Sequence, residues 1–230
     1  MNQAQTFTQT LNRGLGHPSI SRVSPIVFVV DDDATVRDSL ELLILSEGWQ
    51  PETFQSAREF LSQPRALVPS CLIVDLSLSN LDGLELQKII ARDRAEMPII
   101  FITDCGDIPT TVQAIKAGAV DFLVKPFSNN VLLRSIREGL DRSRVALDRE
   151  VEMRELRNRH ALLTPRERQV MTLVVSGLLN KQAGGELGIS EITVKAHRGQ
   201  VMQKMKANSL AGLVRMAADL HPARQAIHLA

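Results

Sequence analysis

Four short apolar runs in the first half of the chain each end in a polar residue, and this pattern constrains the fold more than any other feature. Such runs are typical of strands that are buried on both faces of a parallel sheet. The residues that follow them are the aspartates at 31–33, then Asp75, Thr103 and Lys125. Because the carboxyl ends of parallel strands share one edge, where ligands of such sheets bind, we expect these side chains to form one site.

The expected site combines several carboxylates with one lysine. Carboxylates that converge at one edge repel each other unless positive charge lies among them. Asp31, Asp32 and Asp75 offer the oxygen ligands that Mg2+ prefers, and Lys125 adds a fixed cation. The residue types therefore predict a magnesium-dependent phosphoryl-transfer site.

The stretch from residue 25 to residue 128 resembles the receiver domain of two-component response regulators. It carries that family's motifs in order: an acidic pair, a single aspartate, a hydroxyl residue and a Lys-Pro pair after successive strands. The resemblance implies an α/β fold, namely a doubly wound, flavodoxin-like (CheY-like) sheet of five parallel strands. It also implies that a partner histidine kinase supplies the phosphoryl group.

The same resemblance implies a role for each site residue. Mg2+ would be held by Asp31, Asp32, Asp75 and the main-chain carbonyl of Ser77. Asp75 would accept the phosphoryl group, which Thr103 and Lys125 would contact. Thr103 and Phe122 would shift on activation, although Phe122 lacks the hydroxyl of the tyrosine that is found in many relatives.

Two residues depart from the receiver pattern. Asp104 stands where the family usually has a small residue, so it adds negative charge near the path of an arriving phosphate, and we expect slower phosphorylation. Ser79 stands where proline is common, and we expect a looser loop after Asp75.

The composition predicts a cytoplasmic protein of two domains with opposite charge. Residues 25–128 contain 16 acidic and 8 basic side chains, whereas residues 160–230 contain 4 acidic and 9 basic ones. An acidic domain suits a metal site and a basic domain suits DNA. The first 24 residues lack the apolar segment of a signal peptide, and the chain has no apolar run of about 18 residues.

The expected divisions of the chain are a disordered segment at 1–24, the receiver at 25–128, a helical linker at 129–160, a DNA-binding domain at 161–220 and a tail at 221–230. Three leucines in the linker, Leu133, Leu140 and Leu147, are seven residues apart. This spacing permits a short coiled coil, and a solvated helix with ion pairs between its own turns is the alternative.

The last seventy residues contain the start and stop signals of several helices. Thr164, Pro165 and Glu167 form a capping box at the start of one helix, and Ser190 is placed to cap a later one. Val194 and Val201 fall on one face of that later helix. Two helices joined by a turn that contains glycine predict an all-α helix-turn-helix domain.

This second block resembles the LuxR-type DNA-binding domain of the NarL/FixJ branch of response regulators, through the segments 163–168 and 193–198. If the helix that contains Val194 packs on the core by its apolar face, its other side chains face the major groove and the flanking phosphates. The expected DNA-contacting residues are Asn180, Lys181, Thr193, Lys195, Ala196, Arg198 and Gly199. Small residues at Ala183 and Gly184, where the family has a large aliphatic residue and then alanine, predict a soft domain.

The predicted function is a transcription regulator, not an enzyme, that phosphorylation of Asp75 switches to a dimer. Its partners would be the histidine kinase, double-stranded DNA and, as a candidate, RNA polymerase. Two alternatives stay open. One is a receiver that ignores phosphate because of Asp104 and serves as a protein-interaction module, and the other is a magnesium-dependent phosphohydrolase with Asp75 as nucleophile.

Overall fold

The computed structural model of the protein describes residues 24–65, 67–78, 83–105 and 108–220, which divide into two compact units after Arg144. The segment expected at 1–24, except for its last residue, the tail at 221–230 and the loop position Ser79 lie outside the described residues. Within the described ranges, no helix is both long enough and apolar enough to span a lipid bilayer.

The first unit contains a sheet of five parallel strands in the order β2-β1-β3-β4-β5. The strands are β1 (Ile26–Val30), β2 (Gln50–Phe54), β3 (Ser70–Asp75), β4 (Ile99–Thr103) and β5 (Asp121–Val124). Val30 pairs with Val74, Asp75 with Ile102, and Thr103 with Val124. The four expected strands are confirmed, and this register brings their polar ends to one edge.

Helices cover both faces of this sheet. They are α1 (Ala34–Ser46), α2 (Ala57–Ser62), α3 (Gly83–Asp93), α4 (Ile108–Lys116) and the first part of α5 (Asn129–Ala161). Side chains of α2, α3 and α4 pack on one face, and those of α1 and α5 on the other. Asp33 accepts a hydrogen bond from the Thr35 N–H and is therefore the N-cap of α1. The doubly wound α/β fold is confirmed.

The long helix α5 changes the expected boundary of the first domain. Its side chains Leu132, Leu133, Ile136 and Leu140 are buried in the core on the α1 face of the sheet. Residues 129–144 therefore belong to the same compact unit as the sheet, although the sequence assigned them to a linker. The spacing of Leu133 and Leu140 reflects packing on the sheet, so it gives no support to a coiled coil.

The second unit consists of the rest of α5 and four shorter helices, α6 (Pro165–Val175), α7 (Asn180–Leu187), α8 (Glu191–Met205) and α9 (Leu210–Leu220). The capping box of Thr164 and Glu167 is present at the start of α6. Ser190 caps α8 by accepting from the Thr193 N–H. Val194 and Val201 are buried beneath α8, as the sequence predicts.

The small residues of α7 allow close packing against the turn that follows. Ala183 is completely buried in a cluster with Val170, Val174 and Val194. A Cβ atom added to Gly184 would lie 2.8 Å from the carbonyl oxygen of Ile189. An alanine at 184 therefore requires a shift of the turn, so Gly184 serves close packing and is more than a weak point of the helix.

Candidate functional site

Lys125 joins two aspartates at the carboxyl edge of the sheet. Its Nζ donates to Asp75 Oδ2 at 2.8 Å and to Asp31 Oδ2 at 3.2 Å. Asp31 is completely buried and Asp75 nearly so. Burial alone would lower the pKa of Lys125, but the hydrogen bond to Asp75 and the charge of Asp31 outweigh it and raise that pKa. Lys125 thus stays protonated and offsets the carboxylate charge.

Main-chain groups hold the second oxygen of each aspartate. The Asp33 N–H donates to Asp31 Oδ1 at 2.9 Å, and the Ser77 N–H donates to Asp75 Oδ1 at 2.8 Å. Burial nevertheless raises the pKa of Asp31, against the opposing effects of the Asp33 N–H and Lys125. The strand ends therefore fix the orientation of both carboxylates.

Thr103 lies completely buried at the same edge, where its hydroxyl is already paired. Its Oγ1 donates to the Cys105 carbonyl at 3.1 Å and accepts from the Cys105 N–H at 3.2 Å. Asp104 lies between Thr103 and Cys105 in the chain, and its side chain is 76% exposed. Its Oδ2 is 3.9 Å from the Lys125 ammonium. The departure from the family pattern thus puts a third carboxylate beside the lysine.

The donor set of this edge has the chemistry that Mg2+ requires. Asp31 and Asp75 place carboxylate oxygens at this edge, and the main-chain carbonyl of Ser77, two residues after Asp75, would be a further hard ligand. Asp32, the next residue after Asp31, is exposed. Across the described residues, no group of three or more acidic, histidine or cysteine side chains stands ready to bind a metal as it is arranged here.

Phe122 lies half-buried on β5, three residues before Lys125. Its ring centroid is 6.2 Å from that of Phe101, at an interplanar angle of 44°. The Lys125-Pro126 peptide bond is cis. Phe122 is thus packed on the same face of the sheet as α3 and α4.

The residues expected to contact DNA lie on α7 and α8. Lys181, Thr193, Lys195, Ala196 and Gly199 are exposed, whereas Asn180 and Arg198 are partly buried. Arg198 donates from Nη1 to Asn180 Oδ1 at 3.3 Å, so the two helices are tied at this point. The Thr193 hydroxyl is 2.7 Å from that of Ser190, within the N-terminal cap of α8.

A buried glutamate of α6 connects that helix to α8, on which most of these residues lie. Glu167, of the capping box, accepts two hydrogen bonds from Lys204 at 2.9 and 2.7 Å and a third from the Thr164 N–H. The hydrogen bond from Lys204 lowers the pKa of Glu167 below its ordinary value, and the hydrogen bond from the Thr164 N–H lowers it further. The contact ties the start of α6 to the last turn of α8.

Comparisons with known proteins cover both units. Residues 27–137 match the response regulator receiver domain, and residues 161–217 match the bacterial regulatory proteins of the luxR family. Nodulation protein W of Bradyrhizobium diazoefficiens is 47% identical over 90% of this chain and 92% of that protein. The response regulator protein TmoT of Ectopseudomonas mendocina is 40% identical over 90% of this chain and 94% of that protein.

A solved structure, that of the response regulator StyR, also matches, with a TM-score of 0.73 and 44% identity. The match covers 85% of this chain and 98% of StyR. The chain belongs to the response regulators that carry a LuxR-type DNA-binding domain. Both resemblances noted from the sequence are thereby confirmed, as is the class of transcription regulator.

Three contacts of this response regulator lie outside what its sequence motifs indicate. Arg37, one turn into α1, donates to the main-chain carbonyl of Asp31 at 2.7 Å. Cys105 provides both backbone partners of the Thr103 hydroxyl. The Glu167–Lys204 pair joins residues 37 positions apart. The first two contacts are local in sequence, whereas the Glu167–Lys204 pair depends on tertiary packing and gives no signal along the chain.

Proposed function

We propose that Asp75 accepts a phosphoryl group from a partner histidine kinase, and that this reaction controls specific DNA binding by the second unit. In the reaction a carboxylate oxygen of Asp75 attacks phosphorus, the new O–P bond replaces the P–N bond of phosphohistidine, and the departing imidazole takes a proton. The observation that carries the proposal is the pairing of Asp75 with Lys125 at 2.8 Å beside the buried Asp31. Lys125 can stabilise the charge of the transferring group.

We propose that Mg2+ binds at this edge through Asp31, Asp32, Asp75 and the carbonyl of Ser77. Bound there, the ion would neutralise oxygens of the phosphoryl group during transfer. Asp31 and Asp75 carry two negative charges against the one charge of Lys125, and Asp104 adds another 3.9 Å from that lysine. This excess of negative charge supports a role for a divalent cation.

We propose that Thr103 and Phe122 report the state of Asp75. The Thr103 hydroxyl would leave its contacts with Cys105 to donate to the phosphoryl group, and Phe122 would turn further inward. Ile108, Val112, Ile115 and Val124 leave apolar side chains exposed on α4 and at the end of β5. This surface supports homodimer formation on activation, since exposed apolar patches of this kind mark protein interaction sites.

We propose that α8 reads DNA in the major groove and that Asn180 and Lys181 contact the phosphate backbone. The exposure of Thr193, Lys195, Ala196 and Gly199 supports this placement, together with the partly buried Arg198 beside them. The protein would then act in the cytoplasm, with RNA polymerase as a further partner at its promoters.

The two alternatives predict different chemistry at Asp75. A phosphate-insensitive receiver is favoured only by the position of Asp104 beside Lys125. A phosphohydrolase is disfavoured because Ser77, and not a second aspartate, stands two residues after Asp75. Such an enzyme would release the phosphate without changing the affinity for DNA.

The intact mass of the protein after treatment with Mg2+ and acetyl phosphate tests the proposal. We expect an increase by the mass of one phosphoryl group that is labile in base, and no increase for Asp75→Asn. Asp38→Asn, which replaces an exposed aspartate of the same unit, is the control and should label like the native protein. Full labelling of Asp75→Asn would refute the assignment of the acceptor.

A further inference from the structure

Ile192 is the most exposed large apolar side chain among the described residues of the second unit. It is 81% exposed, although isoleucine is usually buried. It lies in the first turn of α8, two residues after the cap Ser190. An apolar side chain placed so openly beside the residues expected to contact DNA requires an explanation of its own.

The packing of α8 determines the direction in which Ile192 points. Val194 is completely buried beneath the helix. Each residue of an α-helix turns the direction by about 100°, so Ile192 lies about 160° away from Val194, on the opposite side. The cap keeps this turn regular, since Ser190 accepts from the Thr193 N–H at 3.1 Å. Ile192 therefore points away from the core.

Ile192 shares this outer face with two very small residues. Ala196 and Gly199 follow it at spacings of four and seven, which place all three on one side of a helix. Both are exposed, and a Cβ added to Gly199 would meet nothing within 4 Å. Ile192 is thus an apolar projection at the start of a shallow face, with Lys195 beside it.

The charge of this domain identifies the surface that the face can meet. Residues 160–230 contain 9 basic and 4 acidic side chains, which favours a polyanion. Within the major groove, the thymine C5-methyl is the apolar group that base edges present, and the N-terminal residues of a recognition helix are the ones that contact those edges. An exposed isoleucine in this turn matches a thymine methyl better than it matches phosphate or water.

We propose that Ile192 is a specificity-determining residue that packs on the C5-methyl of a thymine in each half-site of the operator. The inference rests on the proposed role of α8 as the reading helix, and it adds one base preference to that role. Lys195 and Arg198 would provide polar and phosphate contacts, whereas Ile192 would discriminate thymine from cytosine by an apolar contact.

A methyl-deletion scan tests this inference on the full chain. Duplexes bound by the native protein are first selected from a random pool, and each thymine of the selected site is then replaced by deoxyuridine, which removes only the methyl group. We expect one symmetric position at which the substitution weakens native binding about threefold to fivefold, the effect of one buried methyl group. Ile192→Ala should bind the thymine and uracil duplexes equally at that position.

Leu162→Ala provides the matched control, because Leu162 is also a large, exposed apolar residue of the second unit, 68% exposed, and does not lie on α8. This variant should keep the native preference for thymine at the same position. A flat scan for the native protein would overturn the inference, as would an equal thymine preference in Ile192→Ala.

The failure of the broader function would be recognised separately. If no sequence is enriched from the pool, DNA reading by α8 itself is wrong and the inference falls with it. If a sequence is enriched and Lys195→Ala weakens its binding while the methyl scan stays flat, only the role of Ile192 is wrong.

Discussion

The two units of this response regulator use charged residues in opposite ways. In the receiver, Asp31 and Asp75 are buried at strand ends and share one lysine, and the core on the face covered by α2, α3 and α4 contains several phenylalanines. In the DNA-binding unit, Lys181 and Lys195 are exposed, and the clusters beneath contain only aliphatic side chains and methionine. Substitutions in the receiver site should therefore alter stability and function together, whereas those of exposed side chains on α8 should alter function alone.

Removal of Lys125 should produce the largest effect on stability. Lys125→Met leaves Asp31 buried without its cation, and we expect the free energy of unfolding of the receiver to fall by about 3 kcal/mol. Trp49, the one tryptophan of the chain, packs against the receiver core, so its fluorescence in a urea titration follows this domain.

The controls for Lys125 separate buried from exposed ion pairs. Arg142→Ala breaks a surface pair with Glu138 and should cost less than about 1 kcal/mol. Asp31→Asn added to Lys125→Met should recover part of the loss, because it removes the unpaired charge. Equal effects of Lys125→Met and Arg142→Ala would contradict the claim that the buried ion pairs of the receiver site stabilise it more than a surface pair does.

Two basic side chains of α8, Lys195 and Arg198, should affect DNA binding far more than stability. Lys195→Ala, near the start of the exposed helix, should weaken binding to the selected operator by about 1–3 kcal/mol. Arg198→Ala should weaken binding to all duplexes and flatten the salt dependence. Titrations of operator and scrambled duplexes at several salt concentrations distinguish the two, and unchanged affinity in both variants would exclude α8 as the reading helix.

The two adjacent glycines of α7 should respond to alanine with opposite signs. Gly184→Ala should destabilise the domain by about 1–3 kcal/mol, because its Cβ would meet the Ile189 carbonyl at 2.8 Å. Gly185→Ala meets nothing within 4 Å and should stabilise the helix by about 0.5–1 kcal/mol. Hydrogen exchange of peptides from α7, followed by mass spectrometry, measures both. If Gly184→Ala stabilised the domain instead, Gly184 would be a weak point of the helix and not a requirement of close packing.

Acid should weaken the second unit through Glu167. Its pKa is lowered in the folded state by Lys204 and the Thr164 N–H, so its contribution is complete above the unfolded pKa and disappears as the pH falls through the lower folded value. We expect protection of α6 from hydrogen exchange to fall below about pH 4.5 by the equivalent of about 1 kcal/mol. Glu167→Gln should show a smaller change over the same range, and an unchanged acid dependence would exclude Glu167 as its source.

The smallest effect is expected at Asp104, the exposed carboxylate beside the site. Asp104 lies 3.9 Å from Lys125, which would contact the phosphoryl group. Asp104→Asn should therefore speed labelling by acetyl phosphate about twofold to fivefold, because repulsion between two charges a few ångströms apart in water is worth up to about 1 kcal/mol. The rate of mass increase at low ionic strength measures it, with Asp38→Asn as control. A rate equal to that of the native protein would mean that Asp104 does not hinder the donor.

The sequence predicted the strands that are apolar and missed the one that is not. Strand β2, Gln50–Phe54, is polar and contains Pro51, so it lacks the pattern that identified the other four. It lies at an edge of the sheet, where one side of the strand needs no partner and proline is tolerated. The short helix α2 was also not predicted, because six residues are too few to establish a helical period.

The candidate site was more predictable at its centre than at its margins. Strand ends determine where Asp31, Asp75, Thr103 and Lys125 lie, so a pattern along the chain was sufficient to group them. The extent of α5 was not predictable in this way, because its leucines pack on a core assembled from distant strands. The same holds for Gly184, whose role depends on the position of a carbonyl five residues away.

The affinity for a selected operator duplex, measured with and without Mg2+ and acetyl phosphate, tests the central claim most directly. The account predicts that treatment strengthens binding by the native protein and leaves Asp75→Asn unchanged, while Asp38→Asn behaves like the native protein. Equal affinity of the native protein before and after complete labelling would contradict it, and so would an equal response in Asp75→Asn.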